Sequence, residues 1–251
     1  MLNACLIAVL VGGATMLGGV IGYFVKYNNE KIDGAVFAFA AGVMLAATFA
    51  ELILPETDAA GTAGFFLCLF GIMLGGALIH FLQKLLSLLQ KNNPGWRLSS
   101  AASRPELKGA LLFIAALAIH NLPEGIAAGV GLGTGDFSKA LTVAAGIALQ
   151  NVPEGMIVLP PLIHAGVSRK KALLVSVFTG VIEIVGTFLA YFAASLSETV
   201  LPYVLCFAGG TMLYIICTDV ISDAEQMAGK EWTGYAVLVG CCVMLIMERY
   251  I

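Results

Sequence analysis

Two short stretches of this chain carry residues able to do chemistry, and they are near copies of one another. One reads His120-Asn121-Leu122-Pro123-Glu124-Gly125, the other Gln150-Asn151-Val152-Pro153-Glu154-Gly155. They are offset by 30 residues and agree at four of six positions. Both lie in apolar sequence that reads as helix. His120 and Glu124 stand four residues apart, as do Gln150 and Glu154, so each pair shares one helix face. Asn121 and Asn151 sit about 100° further round. Each proline lacks an N–H, which leaves the carbonyls of Ile119 and Leu149 without their helical partner. Irregular backbone at membrane depth is tolerated only where it is buried or lines a cavity.

Imidazole nitrogen, carboxylate and amide oxygen together suit a borderline divalent ion: zinc, iron(II), manganese or cobalt, with no thiolate to favour copper(I). Calcium would take more oxygens and no imidazole. His120, Glu124 and Glu154 make one site; Asn121, Asn151 and Glu183 leave room for a second beside it. Glu183 lies between Gly180 and Gly186, which permit close helix approach, and reads as a metal ligand. Met44 offers a weak sulfur. Glu51 and Asp219, nearer span ends, read as pathway residues that attract or relay ions. His80 and His164 read as structural residues at span ends.

The elements around these residues must live in lipid. Of 251 residues, 59 % are hydrophobic and 12 % charged, and the mean hydropathy is +0.94. Ordinary soluble domains carry about 45–50 % and about 25 %. Eight apolar runs approach or exceed the roughly 20 residues that cross a bilayer: 3–25, 34–54, 63–88, 108–131, 138–160, 171–193, 199–221 and 232–248. Such runs must be helices, because an open strand leaves its backbone unsatisfied in lipid. The expected architecture is therefore an all-α integral membrane protein in one transmembrane domain, residues 1–251, with Met1–Phe24 a retained span. With the N-terminus outside, 11 of 13 Lys and Arg residues fall on the inner side, so both termini are expected outside.

Glu124, Glu154 and Glu183 have apolar sequence on both sides. A charge at mid-bilayer costs at least about 2.5–3.5 kcal/mol, and no Lys or Arg lies mid-span to compensate. Protons or a bound cation must neutralise them. The net charge of −3 and the absence of a basic patch exclude nucleic acid as an expected partner. The six cysteines form no CxxC pair, so neither a disulfide framework nor a thiolate zinc site is expected. No HExxH occurs, which argues against a metalloprotease. Finally, Phe39–Leu45 matches Phe207–Leu213 at five of seven positions with an offset of 168. The same offset sets Glu51 on Asp219, Gly12 on Gly180 and Gly18 on Gly186. It makes spans 1–3 and 6–8 an inverted repeat, a transporter signature with substrate held near the midplane.

The paired motifs and eight spans resemble the ZIP family (Zrt/Irt-like proteins) of divalent metal transporters, in its compact prokaryotic branch. The resemblance implies a 3+2+3 helix arrangement, commonly a homodimer, in the cell (cytoplasmic) membrane. It also implies movement of the ion toward the cytoplasm through a binuclear centre at the midplane. By resemblance, His120, Glu124, Gln150 and Glu154 form one site. Asn121, Glu124, Asn151, Glu154 and Glu183 form the adjoining one, and Met44 matches the span 2 contact. Zinc is the expected cargo, with iron, manganese, cobalt and cadmium as further candidates. A metal-gated channel or a membrane metal sensor is the alternative. Gln150 stands where many members carry His, and Glu51 where a His is frequent.

Overall fold

The computed structural model describes residues 1–25, 29–59, 61–92, 114, 121–129, 132, 137–192 and 200–250. Almost all of them are helical, and no strand occurs among them. The helices are α1 (Leu2–Phe24), α2 (Glu30–Ala47), α3 (Leu54–Ala59), α4 (Gly61–Asn92), α5 (121–129), α6 (Phe137–Ile157), α7 (Leu159–His164), α8 (Arg169–Phe192), α9 (Leu201–Ile215), α10 (Ile221–Ala228) and α11 (Lys230–Tyr250). Seven stretches among the described residues are long and apolar enough to cross a membrane. The expected span 108–131 falls mostly outside the described residues; its 121–129 portion is helix.

The local chemistry accounts for the helix ends. The Asn29 side chain accepts from the Lys31 N–H at 3.0 Å and starts α2, with Glu30 and Asp33 in its first turn facing the positive end of the dipole. The Arg169 guanidinium donates to the carbonyls of Tyr23 at 3.1 Å and Val25 at 2.6 Å, satisfying acceptors at the end of α1. Pro160 and Pro161, both without an N–H, separate α7 from α6. The sequence pattern reads Ser222–Glu231 as a connection, yet α10 runs to Ala228. Only Gly229, at φ +83°, breaks the chain there, because a left-handed residue is the true stop and Ser-Asp-Ala-Glu-Gln-Met is not.

Two wide turns with i→i+5 bonding interrupt the long helices: Thr48–Ile53 joins α2 to α3, and Ile216–Val220 joins α9 to α10. Thr48 and Ile216 are separated by the same 168 residues as the sequence repeat. The packing also falls into matching pairs. α2 packs on α11 and α4 on α9; α1 packs on both α6 and α8. The stretch running through α2 is 71 % buried and α11 only 17 %, so α2 lies inside and α11 at the periphery. The exposed faces of α4 and α11 carry Phe66, Phe70, Met73, Trp232, Tyr235 and Leu238, as lipid-facing surfaces should.

Candidate metal centre

Four helices cross where the sequence placed its charges, and glycines set how closely they cross. A methyl on Gly18 of α1 would strike the Val152 carbonyl of α6, and one on Gly155 the Thr15 carbonyl of α1. A methyl on Gly125 of α5 would strike the backbone of Glu183 in α8, and one on Gly186 the Leu122 carbonyl. Backbone contact of this kind needs the small residues found there. It carries the turns bearing Glu124, Glu154 and Glu183 into one space.

Carboxylate oxygens of Glu124, Glu154 and Glu183 all lie within 4.8 Å of one another. These three residues, with Asn121, Gln150 and Asn151, are at most 1 % exposed. Three ionised carboxylates at that spacing repel by on the order of 3 kcal/mol per pair at an effective dielectric of about 20. Glu183 accepts from three side chains. Its Oε1 accepts from Thr15 Oγ1 at 2.6 Å and Asn121 Nδ2 at 2.5 Å; its Oε2 accepts from Asn151 Nδ2 at 2.6 Å. Asn151 Nδ2 also reaches the Val11 carbonyl at 3.3 Å. Gln150 Nε2 donates to Glu124 Oε1 at 2.8 Å. Both asparagines thus direct an amide N–H at Glu183, and Gln150 directs one at Glu124.

Their oxygens are left over. Asn121 Oδ1, Gln150 Oε1 and Asn151 Oδ1 are buried and accept no hydrogen bond from any described residue. A buried polar atom without a partner costs about 1–3 kcal/mol. Three of them beside three carboxylates form a group of oxygens rich in negative potential. That is the donor set a divalent cation completes.

The other expected residues are placed as follows. His120 lies outside the described residues. Met44 is fully buried in an apolar cluster with Ile157 and Met212, and its carbonyl accepts from Thr48 Oγ1 at 2.7 Å. Glu51 sits in the wide turn Thr48–Ile53, and its side chain lies outside the described residues. Asp219 sits in the other wide turn and accepts from Gln83 Nε2 at 2.7 Å, remote in sequence from the paired motifs. All six cysteines are free thiols.

Sequence reasoning missed Thr15. The signal was available, since the offset of 168 that pairs Gly12 with Gly180 also pairs Thr15 with Glu183. Both pairs touch: Thr15 bonds Glu183, and Gly12 and Gly180 abut backbone to backbone.

Fold and site together define a multi-pass helical membrane protein with a buried cluster of carboxylates and amides. Residues 97–248 match the family model for the ZIP zinc transporter. The chain is 33 % identical to the zinc transporter ZupT of Chlorobaculum parvum, over 96 % of this chain and 93 % of that protein. It is 28 % identical to the zinc transporter GufA of Myxococcus xanthus, covering 96 % of each. It is also 27 % identical to the zinc transporter ZIP11 of Xenopus tropicalis, over 98 % of this chain and 96 % of that protein. The chain belongs to the ZIP zinc-transporter family. It is a membrane transporter and not an enzyme.

Proposed function

We propose that the chain carries zinc, with iron(II), manganese, cobalt and cadmium as weaker cargoes, from outside the cell membrane to the cytoplasm through the carboxylate–amide centre. The observation that carries this reading is the group of three buried amide oxygens, on Asn121, Gln150 and Asn151, that no described residue satisfies beside Glu124, Glu154 and Glu183. The zinc-transporter relatives supply the cargo, since the donor set alone suits several borderline ions.

The centre holds two ions in this reading. Two-metal sites space their ions at about 3.5–4 Å, and carboxylate oxygens spread over 4.8 Å suit such a pair with glutamates bridging. His120, Glu124, Gln150 and Glu154 hold one ion; Asn121, Asn151 and Glu183, with the bridging glutamates, hold the other, and Met44 borders the centre. Glu51 and Asp219 stand along the pathway toward its two mouths.

The halves form an inverted 3+2+3 bundle within a single domain, 1–251. The matching wide turns, the pairing of α2·α11 with α4·α9, and the contact of Thr15 with its own repeat equivalent all support this arrangement. The basic residues set both termini outside. The exposed apolar faces suit lipid and a homodimer partner.

An ion entering from outside exchanges its waters for these oxygens. It leaves inward when the apolar packing beneath the centre separates. The test is radiolabelled zinc uptake into proteoliposomes, wild type beside Glu124→Ala and Glu154→Ala. Saturable uptake is expected for the wild type and none for either variant. Normal uptake by a folded variant would refute the site, and non-saturating flux would favour a metal-gated channel.

A further inference from the structure

Apolar side chains of α2 pack in one cluster with α7, α9 and α10, and near the start of α2 stands a polar pair that the carboxylate–amide centre does not use. Asp33, Phe37, Ala40 and Met44 fall on one face of α2, at steps of four, three and four residues. Phe37 and Met44 pack in one apolar cluster with Leu159, Leu162, Ile215 and Ala224. Asp33 lies 11 residues below Met44, and His164 lies 10 below Glu154. At about 1.5 Å per residue the drops are of similar length, roughly 15–17 Å.

The two side chains meet. His164 Nε2 stands 3.5 Å from Asp33 Oδ2. Asp33 is only 2 % exposed, whereas the His164 side chain is 33 % exposed. Apart from the His164 imidazole, Asp33 Oδ2 has no hydrogen-bond partner among the described residues. The separation exceeds the roughly 2.7–3.2 Å of an N–H···O bond. It matches two ligands of one tetrahedral ion, which at about 2.0–2.1 Å from the metal lie roughly 3.3–3.4 Å apart.

We propose that Asp33 and His164 form a second divalent-cation site at the inner end of the pathway, one carboxylate oxygen and one imidazole nitrogen completed by water from the cytoplasm. This rests on the inward transport reading above. Glu30, one turn before Asp33, adds negative charge, and the nearby Arg169 guanidinium opposes it. With two protein ligands, an open side and a fixed positive neighbour, the site binds weakly. Weak binding suits a station that receives an ion crossing the apolar cluster and then releases it.

The test is equilibrium dialysis of radiolabelled zinc against the full-length protein in lipid nanodiscs, beside zinc uptake into proteoliposomes. Glu124→Gln with Glu154→Gln removes the midplane centre, and that protein is expected to keep a single weak zinc. Adding Asp33→Asn or His164→Gln should raise its dissociation constant at least tenfold. Unchanged binding on that addition would overturn the proposal. So would loss of all zinc from the midplane variant while the wild type binds. A lowered Tm with unaltered zinc binding would make the pair a structural contact, which also overturns it. Absent uptake by folded wild type that still binds zinc at both sites would instead refute the transport reading and leave the site standing.

Discussion

Glu183 faces three donors, Thr15 Oγ1, Asn121 Nδ2 and Asn151 Nδ2, and by accepting from both amide nitrogens it fixes which way the two amides lie, with their oxygens left without a partner among the described residues. Glu183→Gln keeps the volume and removes this arrangement. Glutamine offers one oxygen and sets an NH2 where the other oxygen stood. At least one asparagine must then rotate, which exchanges its ligating oxygen for a nitrogen that cannot ligate. The carboxylate charge is lost as well. Losing partners that orient metal ligands costs about 10–100-fold in metal affinity. Tenfold corresponds to about 1.4 kcal/mol, and direct ligation by Glu183 would add to that. The assay is equilibrium dialysis with radiolabelled zinc, with elution volume and Tm showing that the variant folds. A dissociation constant at least tenfold weaker is expected for Glu183→Gln, with Glu183→Asp intermediate. A value within threefold of wild type for Glu183→Gln would refute the reasoning about amide orientation.

Other outcomes follow from the same geometry. Gly18→Ala drives a methyl into the Val152 carbonyl and should destabilise the fold by about 1–3 kcal/mol, read as a lowered Tm. Gly234→Ala, on α11 with nothing within 4 Å of the added methyl, should instead hold or raise Tm, because alanine is the better helix former. Gln150→His replaces an amide oxygen with an imidazole nitrogen at a buried position beside Glu124; dialysis should show tighter zinc, and uptake a lower maximal rate as release slows. Zinc binding and uptake should fall as the medium is acidified, since a carboxylate must be deprotonated to ligate; uptake that is flat from neutral to strongly acidic pH would count against glutamate ligands.

The membrane class was legible in composition alone, because so few charges cannot clothe a soluble fold of this size. The family was legible too, in two copies of an Asn-x-Pro-Glu-Gly motif at a spacing that puts one in each of two neighbouring spans. The same local rules failed at element ends. Ser222–Glu231 has loop composition, but nothing in Ser-Asp-Ala-Glu-Gln-Met forbids helix, and α10 continues through it to Gly229. The wide turns at Thr48 and Ile216 left no mark in residue type, since i→i+5 bonding there answers to packing and not to propensity.

By itself the sequence picked out Glu124, Glu154 and Glu183 as charges in apolar surroundings and the chemistry that would tolerate them: carboxylates and amides at helical spacing, in lipid, with no basic partner, call for a cation. Only the tertiary structure decided how they are used. It showed that Glu183 receives both asparagine nitrogens, while their oxygens stay buried without a partner among the described residues. It drew Thr15 against its own repeat equivalent, and it brought the His164 imidazole within 3.5 Å of the Asp33 carboxylate. The physical reason is that spacing along one helix sets only which face a side chain occupies. Distances between helices depend on which glycines allow backbones to touch, and that is a property of pairs of helices far apart in the chain.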